Sequence, residues 1–484
     1  MPEFDAVVVG AGPNGLSAAL RLTERGFSTC VVEAKSYPGG GLHSRELGEA
    51  NYVHDECSAI HPMGILSPYF RTLNLQQYGL VWRHGRSSVA HPLLDRPAAI
   101  LYRDFERTIE RLAPGDGRTW RRIFEPLAAS GEGLLSDLMG PFKLPKHWLA
   151  ALRFGLLAHR SAANLVRGKF QDTAARALFA GLAGHSILPL EHRLTAAFGL
   201  IFGLTAHLVD WPCAEGGSAR IAQALVAKLR EGGGVLRLGE LVSDLKQLPS
   251  SKVVLFDLSP RQLSAIAGDQ LPTGYRRRLD RYVYGPGTFK LDFTLDGAIP
   301  WTDPDVRGAS TVHVGGTHSE IEASERAAWI GDAPTAPYLI VCQQSELDAS
   351  RAPAGKHTGY AYCHVPAGYP HDVSSLIEAQ IERFAPGFRD LIRTRHVTSP
   401  RDFEQLNPNF VGGAVTGGAA TLGQLFTRPV ARWDPYTTPN SRLFLCSGST
   451  PPGGGVHGMC GFYAAESAIK RLNRTSGGSF LLSM

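Results

Sequence analysis

The sequence predicts an α/β protein with a discontinuous parallel-sheet domain, a second domain with a mixed sheet, and a helical insert. Three observations predict this fold class. A glycine-rich strand–turn–helix–strand unit begins within the first ten residues, and a second glycine-rich loop leads into a helix near the C-terminus. Between them lie one helix-rich stretch and one stretch of alternating, strand-like segments.

The first unit has the spacing of a dinucleotide-binding turn. FDAVVVG reads as a buried parallel strand, NGLSAALRLTERG as a helix and STCVVEA as a second strand. Gly10 permits the tight turn, Gly12 lets the backbone approach a pyrophosphate, and Gly15 lets the helix pack closely on the strand. Glu33 closes the second strand, where a carboxylate can accept hydrogen bonds from ribose hydroxyls. The unit therefore predicts a Rossmann-type site for an adenosine diphosphate, with phosphates at the helix N-terminus.

Two further features favour FAD over NAD, which shares this adenosine diphosphate end. The glycine doublet Gly39-Gly40 follows the second strand, where a nicotinamide domain needs no such turn. Near the C-terminus, a strand at 443–446 is followed by a glycine-rich loop at 448–461 and a helix. The N-terminus of that helix can face the flavin edge that carries negative charge when reduced. We find no second glycine-rich unit that would form a separate nicotinamide domain.

The pattern resembles the superfamily of FAD-dependent phytoene desaturases, carotenoid isomerases and amine oxidases, most closely its phytoene-dehydrogenase-like branch. The resemblance rests on VVGAGPNGLSAALRL, VVEA with PGG, CAEGGSARIAQALVAKLREGGGVLRLGELVSDL and LFLCSGSTPPGGGVHGMCGFYAA, and it covers nearly the whole chain. It implies FAD and redox chemistry at carbon or C–N centres, and it places Val242 against the adenine. The residues expected to contact the cofactor are Gly10, Gly12, Pro13, Asn14, Gly15, Glu33, Ala34, Gly39, Gly40, Gly41, Leu42, Val242, Gly448, Ser449, Gly455, Val456, His457, Gly458 and Met459.

The domain prediction follows from the positions of these segments. We expect a FAD-binding domain built from 1–65, 210–268 and 400–476. The stretch 66–209 is expected to form a helical substrate or lid insert, and 269–399 a substrate domain with a mixed sheet that has one buried face. The apolar run from Leu194 to Val209 is too short for a confident membrane span and is expected to be a buried helix.

Composition excludes several other classes. The net charge of +5 in 484 residues, without a long Lys/Arg tract, gives no sign of a nucleic-acid partner. The seven cysteines are scattered without a CxxC pair, which favours a reducing compartment. Because the first strand begins near residue 4 and leaves no room for a leader, we expect a cytoplasmic protein, with peripheral membrane contact as an addition. No histidine and carboxylate set has metal-ligand spacing, and no GxSxG indicates a hydrolase.

Three residues are candidates for catalysis. His457, in GGGVHGMCG, could donate to the flavin C2 carbonyl or shuttle a proton, or could simply hold the loop backbone. His61 follows the glycine doublet in a segment that, by the resemblance, passes near the flavin ring. Lys290, in GTFKLDFTLDG, matches loosely a lysine that holds a water near flavin N5 in related amine oxidases; the alternative is a strand residue on the solvent face.

One surface segment is strongly cationic. From Met139 to Gln171 there is no acidic residue, and Arg153, Arg160 and Arg167 recur every seven residues, so we expect them to share one helical face. Leucines, with Trp148 beside them, line a different face. This pattern fits a helix on an anionic membrane surface through 143–169. The alternative is a helix packed on the core with a solvated cationic stripe.

The leading functional hypothesis is a FAD-dependent oxidoreductase that desaturates an apolar, polyene- or lipid-like substrate. Hydride would pass to flavin N5 while the neighbouring proton goes to a base or water, and the electron acceptor would be dioxygen or a quinone. Three alternatives stay open. They are an amine oxidase acting on a C–N bond, a double-bond isomerase that uses reduced flavin, and a flavin-binding protein without turnover.

Overall fold

The computed structural model describes residues 2–477. The strands are β1 (Phe4–Val9), β2 (Thr29–Glu33), β3 (Ser44–Glu46), β4 (Val53–Asp55), β5 (Trp82–Arg83), β6 (Ser87–His91), β7 (Ala99–Leu101), β8 (Cys213–Ala214), β9 (Val235–Leu238), β10 (Ser251–Phe256), β11 (Gly287–Leu295), β12 (Ala309–Val314), β13 (Leu339–Cys342), β14 (His357–Val365), β15 (Ile392–Thr398) and β16 (Leu443–Leu445). The helices are α1 (Pro13–Glu24), α2 (Pro62–Ile65), α3 (Phe105–Glu110), α4 (Pro114–Ala128), α5 (Gly131–Leu138), α6 (Trp148–Ala158), α7 (Ala162–Lys169), α8 (Thr173–Gly184), α9 (Thr195–Val209), α10 (Ala219–Glu231), α11 (Pro260–Ala267), α12 (Thr273–Asp280), α13 (His318–Ile330), α14 (Gln344–Leu347), α15 (Ser374–Glu382), α16 (Pro400–Leu406), α17 (Leu422–Thr427) and α18 (Met459–Gly477).

Five parallel strands form the first sheet, in the order β16-β10-β1-β2-β9. The order brings together strands from the start, the middle and the end of the chain, as the discontinuous prediction requires. The central strand β1 is apolar and almost wholly buried because α1, α10 and α18 cover one face and α11 and α12 the other. Parallel strands covered on both faces have this continuous apolar character.

Seven strands form the second, mixed sheet, in the order β15-β11-β14-β13-β12-β6-β7. All neighbours pair antiparallel except β12 and β6, which run parallel. The strand-like segments GTFKLDFTLDG, STVHVGG, PYLIVCQQS and TGYAYCHV overlap β11, β12, β13 and β14, but the expectation of a single buried face is wrong. Every residue of β11 and β12 is buried, because apolar clusters cover one face and the cavity and helical layer cover the other.

The stretch 66–209 is mostly helical, as expected, but it also contributes β6 and β7 to the mixed sheet. These strands lie between short irregular segments and were missed because each is only a few residues long. The helices α4 to α9 pack around Trp120, Phe124 and Phe179. The apolar run predicted as a buried helix is α9, and no helix in residues 2–477 is long and apolar enough to cross a bilayer.

The cationic segment departs from the expected single helix. It forms two helices, α6 and α7, because Ser161 caps a new helix start by accepting a hydrogen bond from the Asn164 amide. Arg153 therefore does not share a continuous helical face with Arg160 and Arg167. Arg167 instead reaches the Glu322 carboxylate at 2.6 Å. The face of α6 turned to the core carries Ala150, Phe154 and Ala158, whereas Leu149, Leu152 and Leu156 are exposed.

Candidate functional site

The glycine turn after β1 is built for close approach. Gly10 has φ of +100°, and a Cβ on Gly15 would lie 2.1 Å from the Gly10 carbonyl oxygen. Only glycine at position 15 therefore lets α1 pack so close to the turn. No side chain caps the N-terminus of α1, and its first turn contains no acidic residue. The helix end consequently retains the positive field and the backbone amides that a phosphate needs.

Glu33 stands at the carboxyl end of β2 beside this turn. Its Oε2 accepts a hydrogen bond from the Ala11 amide at 2.7 Å, and Oε1 accepts one from the Lys35 amide at 2.9 Å. Both carboxylate oxygens are thus fixed by backbone groups, and the side chain lines the cavity described below. This is the position from which a carboxylate reaches ribose hydroxyls.

Asp257 lies on the other side of the turn and was not singled out from the sequence. It follows β10, is fully buried, and accepts a hydrogen bond from the Gly15 amide at 2.8 Å. A Cβ on Gly12 would stand 2.5 Å from its Oδ2. Burial, with a smaller contribution from Glu33, raises the pKa of Asp257 to about 7 although the Gly15 amide opposes the rise. The turn therefore contains a carboxyl group that holds its proton up to neutral pH.

The C-terminal helix completes the same site. α18 packs along α1, and a Cβ on Gly461 would lie 1.8 Å from the Asn14 carbonyl oxygen. The loop 448–458 before α18 is consequently held next to the turn at 10–15. The two distant ends of the chain meet here, as the sequence analysis predicted.

A cavity of about 400 Å³ lies between these walls and extends to the mixed sheet. Its sheet end is lined by aromatic and apolar side chains from β13, β14, α9 and the segments beside them. They are Ile60, Met63, Phe202, Trp211, Ile340, Tyr360 and Tyr362. The cavity is thus polar at the glycine turn and largely apolar at the sheet.

Lys290 reaches this cavity from β11 and is buried. Its Nζ donates to both Asp292 oxygens at 2.6 Å and to the Asp55 carbonyl oxygen at 2.8 Å, and it lies 4.5 Å from the Tyr360 ring centroid. The alternative of a lysine on the solvent face is therefore wrong. Burial alone would raise the pKa of Asp292, but the Lys290 ammonium holds it below the usual range. The two side chains form a buried ion pair.

His61 also lines the cavity, and its tautomer follows from its neighbours. The Ser218 hydroxyl donates to the Ser58 carbonyl oxygen at 2.5 Å, so it cannot also donate to His61. The 2.9 Å contact between His61 Nε2 and Ser218 Oγ therefore requires the proton on Nε2, which leaves Nδ1 with a free lone pair. Burial lowers the pKa of His61 to about 4, although Asp55 acts in the opposite direction.

Comparisons with known proteins agree with this geometry. Residues 8–73 match the NAD(P)-binding Rossmann-like domain family. The chain is 25% identical to rat pyridine nucleotide-disulfide oxidoreductase domain-containing protein 2, across 97% of this chain and 94% of the relative. It is 24% identical to the lycopene-forming phytoene desaturase of Pseudescherichia vulneris, across 96% and 98%. A putrescine oxidase variant superposes with a TM-score of 0.63 at 16% identity, across 97% and 99%.

The chain is similar in sequence to phytoene desaturases and in fold to an amine oxidase, which agrees with the superfamily that the sequence resembles. Its cofactor is FAD. The residues present fit this group, since the turn offers an uncapped helix end and the buried Asn14 Oδ1, which lines the cavity, has no hydrogen-bond partner in the described part of the chain.

Most residues expected to contact FAD line the cavity of this flavoprotein. They are Gly10, Gly12, Pro13, Asn14, Glu33, Ala34, Gly40, Gly41, Leu42, Val242, Gly448, Ser449, Gly455 and Val456. Four of the remaining five shape the walls instead. Gly15 packs on the turn, Gly39 donates its amide to the Ala11 carbonyl oxygen at 2.8 Å, and Gly458 and Met459 pack against α1 and its neighbours.

His457 does not line the cavity. Its Nδ1 accepts a hydrogen bond from the Met459 amide at 3.0 Å, and its carbonyl oxygen accepts one from Ser67 Oγ at 2.6 Å. Burial lowers the pKa of the ring to about 4. This placement supports the simpler of the two hypotheses, in which His457 holds the backbone of the flavin loop.

Sequence reasoning missed the residues that line the sheet end of the flavoprotein's cavity. Tyr360 and Tyr362 alternate along β14 and therefore point to the same side, a signal that TGYAYCHV carried. Phe202 lies on α9 and Trp211 two residues after its end, and nothing in their spacing connects them to β14. Their meeting depends on how α9 packs on α8, which in turn contacts β6 and β7 of the mixed sheet.

Proposed function

We propose that this FAD-dependent oxidoreductase desaturates an apolar, polyene- or lipid-like substrate. The observation that carries the proposal is the division of the cavity. Among the described lining residues, carboxyl groups are present only on Glu33, Glu240 and Asp257. Glu33 and Asp257 flank the glycine turn, and the Glu240 amide donates to the Glu33 carbonyl oxygen at 2.9 Å. The sheet end is therefore without an anionic group.

This distribution of carboxyl groups in the cavity favours a substrate that is oxidised at carbon over an amine substrate. An ammonium ion that entered the sheet end would lose hydration without meeting a carboxylate, which is costly. It would also meet the Lys290 ammonium, whose own counter-ion is already the Asp292 carboxylate. A hydrocarbon chain, in contrast, would replace water against tyrosine, tryptophan and isoleucine side chains.

Two side chains have defined tasks in this proposal. His61 accepts the proton that leaves the substrate, because its Nδ1 carries the lone pair and its Nε2–H is fixed on Ser218. Lys290 supplies a positive charge held in place by Asp292 and the Asp55 carbonyl oxygen. The chemistry that FAD supplies when bound is uptake of a hydride from the adjacent carbon, with the electrons passing to dioxygen or a quinone.

The proposed desaturation accounts for every bond, electron pair and proton. One C–H bond breaks with its electron pair leaving as hydride, the neighbouring C–H bond yields a proton to His61, and the remaining electron pair forms the C=C bond. The substrate is oxidised by two electrons. The aromatic wall excludes water from the reacting carbons and holds the chain extended across the cavity.

An anaerobic screen tests this proposal. Purified yellow protein is mixed with dispersed polyenes or lipids in one series and with primary and secondary amines in another, and the visible flavin absorption is followed. Bleaching by the apolar series alone supports the proposal. Bleaching by amines alone supports C–N oxidation, and double-bond isomerisation that needs prior flavin reduction supports the isomerase. Full binding of each substrate class without bleaching or isomerisation would leave only a flavin-binding role.

A further inference from the structure

The outward face of α6 is apolar, which is the reverse of an ordinary surface helix. Trp148, Leu149, Leu152 and Leu156 are exposed by 53% to 63%, whereas the face turned to the core carries two alanines and Phe154. Helices at the surface of a soluble protein normally place their large apolar side chains inward. α6 therefore presents to its surroundings the side chains that burial would favour most.

Neighbouring segments enlarge this face. Phe142 and Leu144, in the loop before α6, are 91% and 93% exposed. The Phe142 ring meets the exposed Phe426 ring of α17 edge-on, with centroids 6.0 Å apart. We call the combined surface the outer patch, and it consists of Phe142, Leu144, Trp148, Leu149, Leu152, Leu156, Leu422 and Phe426. A contiguous apolar surface of this kind marks a binding face.

The charged side chains in the segment that carries most of the outer patch are all positive. Lys143, Lys146 and Arg153 lie among its residues, and no acidic residue occurs between Met139 and Gln171. None of the three cations forms an ion pair within residues 2–477. Lys143 lies instead 5.8 Å from the Tyr463 ring centroid. The patch thus combines protruding aromatic and leucine side chains with free cations.

We propose that the outer patch binds the protein to the surface of an anionic lipid bilayer. Apolar side chains would enter the headgroup–acyl boundary, while the three cations meet lipid phosphates. A second copy of the chain fits less well, because a two-fold contact through this face would bring each set of cations against the same set in the partner. The charge complements a membrane surface and opposes self-association.

The outer patch adjoins walls of the cavity. α6 packs on α9, whose Phe202 lines the cavity, and α17 begins six residues after Thr416, which also lines it. An apolar substrate taken from the bilayer would therefore have a short path to the sheet end. That route rests on the proposed function, whereas membrane binding itself does not.

Vesicle sedimentation of the full-length FAD-bound protein tests the inference. The probes are phosphatidylcholine vesicles with and without phosphatidylglycerol. We expect the wild type to sediment with the anionic vesicles and to be released by salt. The double variant Phe142→Ser/Leu144→Ser should bind at least about tenfold more weakly because two fully exposed anchors are removed. Lys146→Glu/Arg153→Glu should weaken binding to anionic vesicles by roughly twentyfold or more.

Ile330→Ser is the matched control, because Ile330 is 64% exposed on α13, outside the outer patch. It should bind as the wild type does. Equal sedimentation of the wild type and both patch variants would overturn the proposal, as would failure of the wild type to bind any vesicle. A concentration-dependent dimer that the Phe142→Ser/Leu144→Ser variant abolishes would overturn it in favour of self-association. Flavin bleaching by detergent-dispersed substrate is measured separately, so failure of the membrane inference and failure of the proposed reaction give different results.

Discussion

Gly461 rests directly on the carbonyl oxygen of Asn14, and a Cβ there would stand 1.8 Å away. This contact joins the last helix to the first and holds the flavin loop beside the glycine turn. Gly461→Ala should therefore separate α18 from α1, weaken FAD binding, and lower the free energy of unfolding by about 1–3 kcal/mol or more. Chemical denaturation of the FAD-free protein and FAD titration measure the two effects.

The control for this prediction is Gly274→Ala. Gly274 lies within the helix α12, and no atom would approach a Cβ there within 4 Å. Alanine is the better helix former, so this variant should be neutral or more stable by up to about 1 kcal/mol. If Gly461→Ala behaved in the same way, the close packing of the two chain ends would not limit the site.

Lys290 and Asp292 should depend on each other for stability. Lys290→Met leaves the Asp292 carboxylate buried without its ammonium partner, which costs about 3–5 kcal/mol of unfolding free energy. The double variant Lys290→Met/Asp292→Asn removes the unpaired charge and should recover most of that loss. Denaturant midpoints of the wild type, both single variants and the double variant form the required cycle. Additive losses would contradict a buried ion pair.

His61 should affect the rate and not the binding of FAD. His61→Asn removes the proton acceptor, so anaerobic flavin bleaching by an effective substrate should slow by about 10²- to 10⁴-fold. Because the pKa of His61 is lowered to about 4, its base form is present at neutral pH. The wild-type rate should therefore be flat near pH 7 and fall as the pH drops through about 4.

Ser218→Ala gives a graded test of the same residue. Loss of the hydroxyl removes the acceptor that fixes the Nε2–H tautomer, and the rate should fall by about tenfold while FAD affinity is kept. If the His61→Asn variant kept an unchanged rate and pH profile, water and not His61 would accept the proton that leaves the substrate.

Asp257 should link FAD affinity to pH. The pKa of this carboxyl is about 7 in the folded protein against an ordinary value of 3.8. The ionised form of Asp257, which is unfavourable beside the pyrophosphate site, is thus absent below pH 3.8. It is a minor species up to pH 7 and the major species above pH 7. FAD affinity should fall by up to about tenfold per pH unit above pH 7.

Asp257→Asn keeps an oxygen that can accept the Gly15 amide but cannot ionise, so its FAD affinity should not change over the same range. The same substitution should stabilise the FAD-free fold above about pH 7 and have less effect as the pH falls towards 4, since the folded pKa is raised. Fluorescence titration of FAD across the range checks both proteins. Parallel pH profiles would show that another group controls the affinity.

Local spacing predicted the parts of the site that one segment can form alone. The glycines at 10, 12 and 15 and the acid at 33 lie in one continuous unit, so their geometry follows from β1, α1 and β2 alone. The glycine loop before α18 was recognisable for the same reason. Its meeting with the first turn was expected because both segments were assigned to one FAD, and the structure shows Gly461 directly against the Asn14 carbonyl oxygen.

The parts of the site that the sequence did not predict depend on packing between distant segments. Asp257 is one acid after an ordinary buried strand, and its importance arises only because β10 lies beside β1. The lysine at 290 could not be separated from a solvent-facing strand residue because β11 is covered on both faces. The sequence indicated a leucine face on α6 but left open whether it meets the core or the surroundings, and the structure places it outward.

FAD stoichiometry on purified protein shows whether the two ends of this chain form one FAD site. We predict one FAD per chain, lost in Gly12→Val, since a side chain at position 12 would meet Asp257 Oδ2 at 2.5 Å and fill the phosphate approach. Circular dichroism shows whether the variant is folded. A folded wild type that stays colourless in excess FAD, or a Gly12→Val protein that keeps its full complement of FAD, would show that the two ends do not form this site.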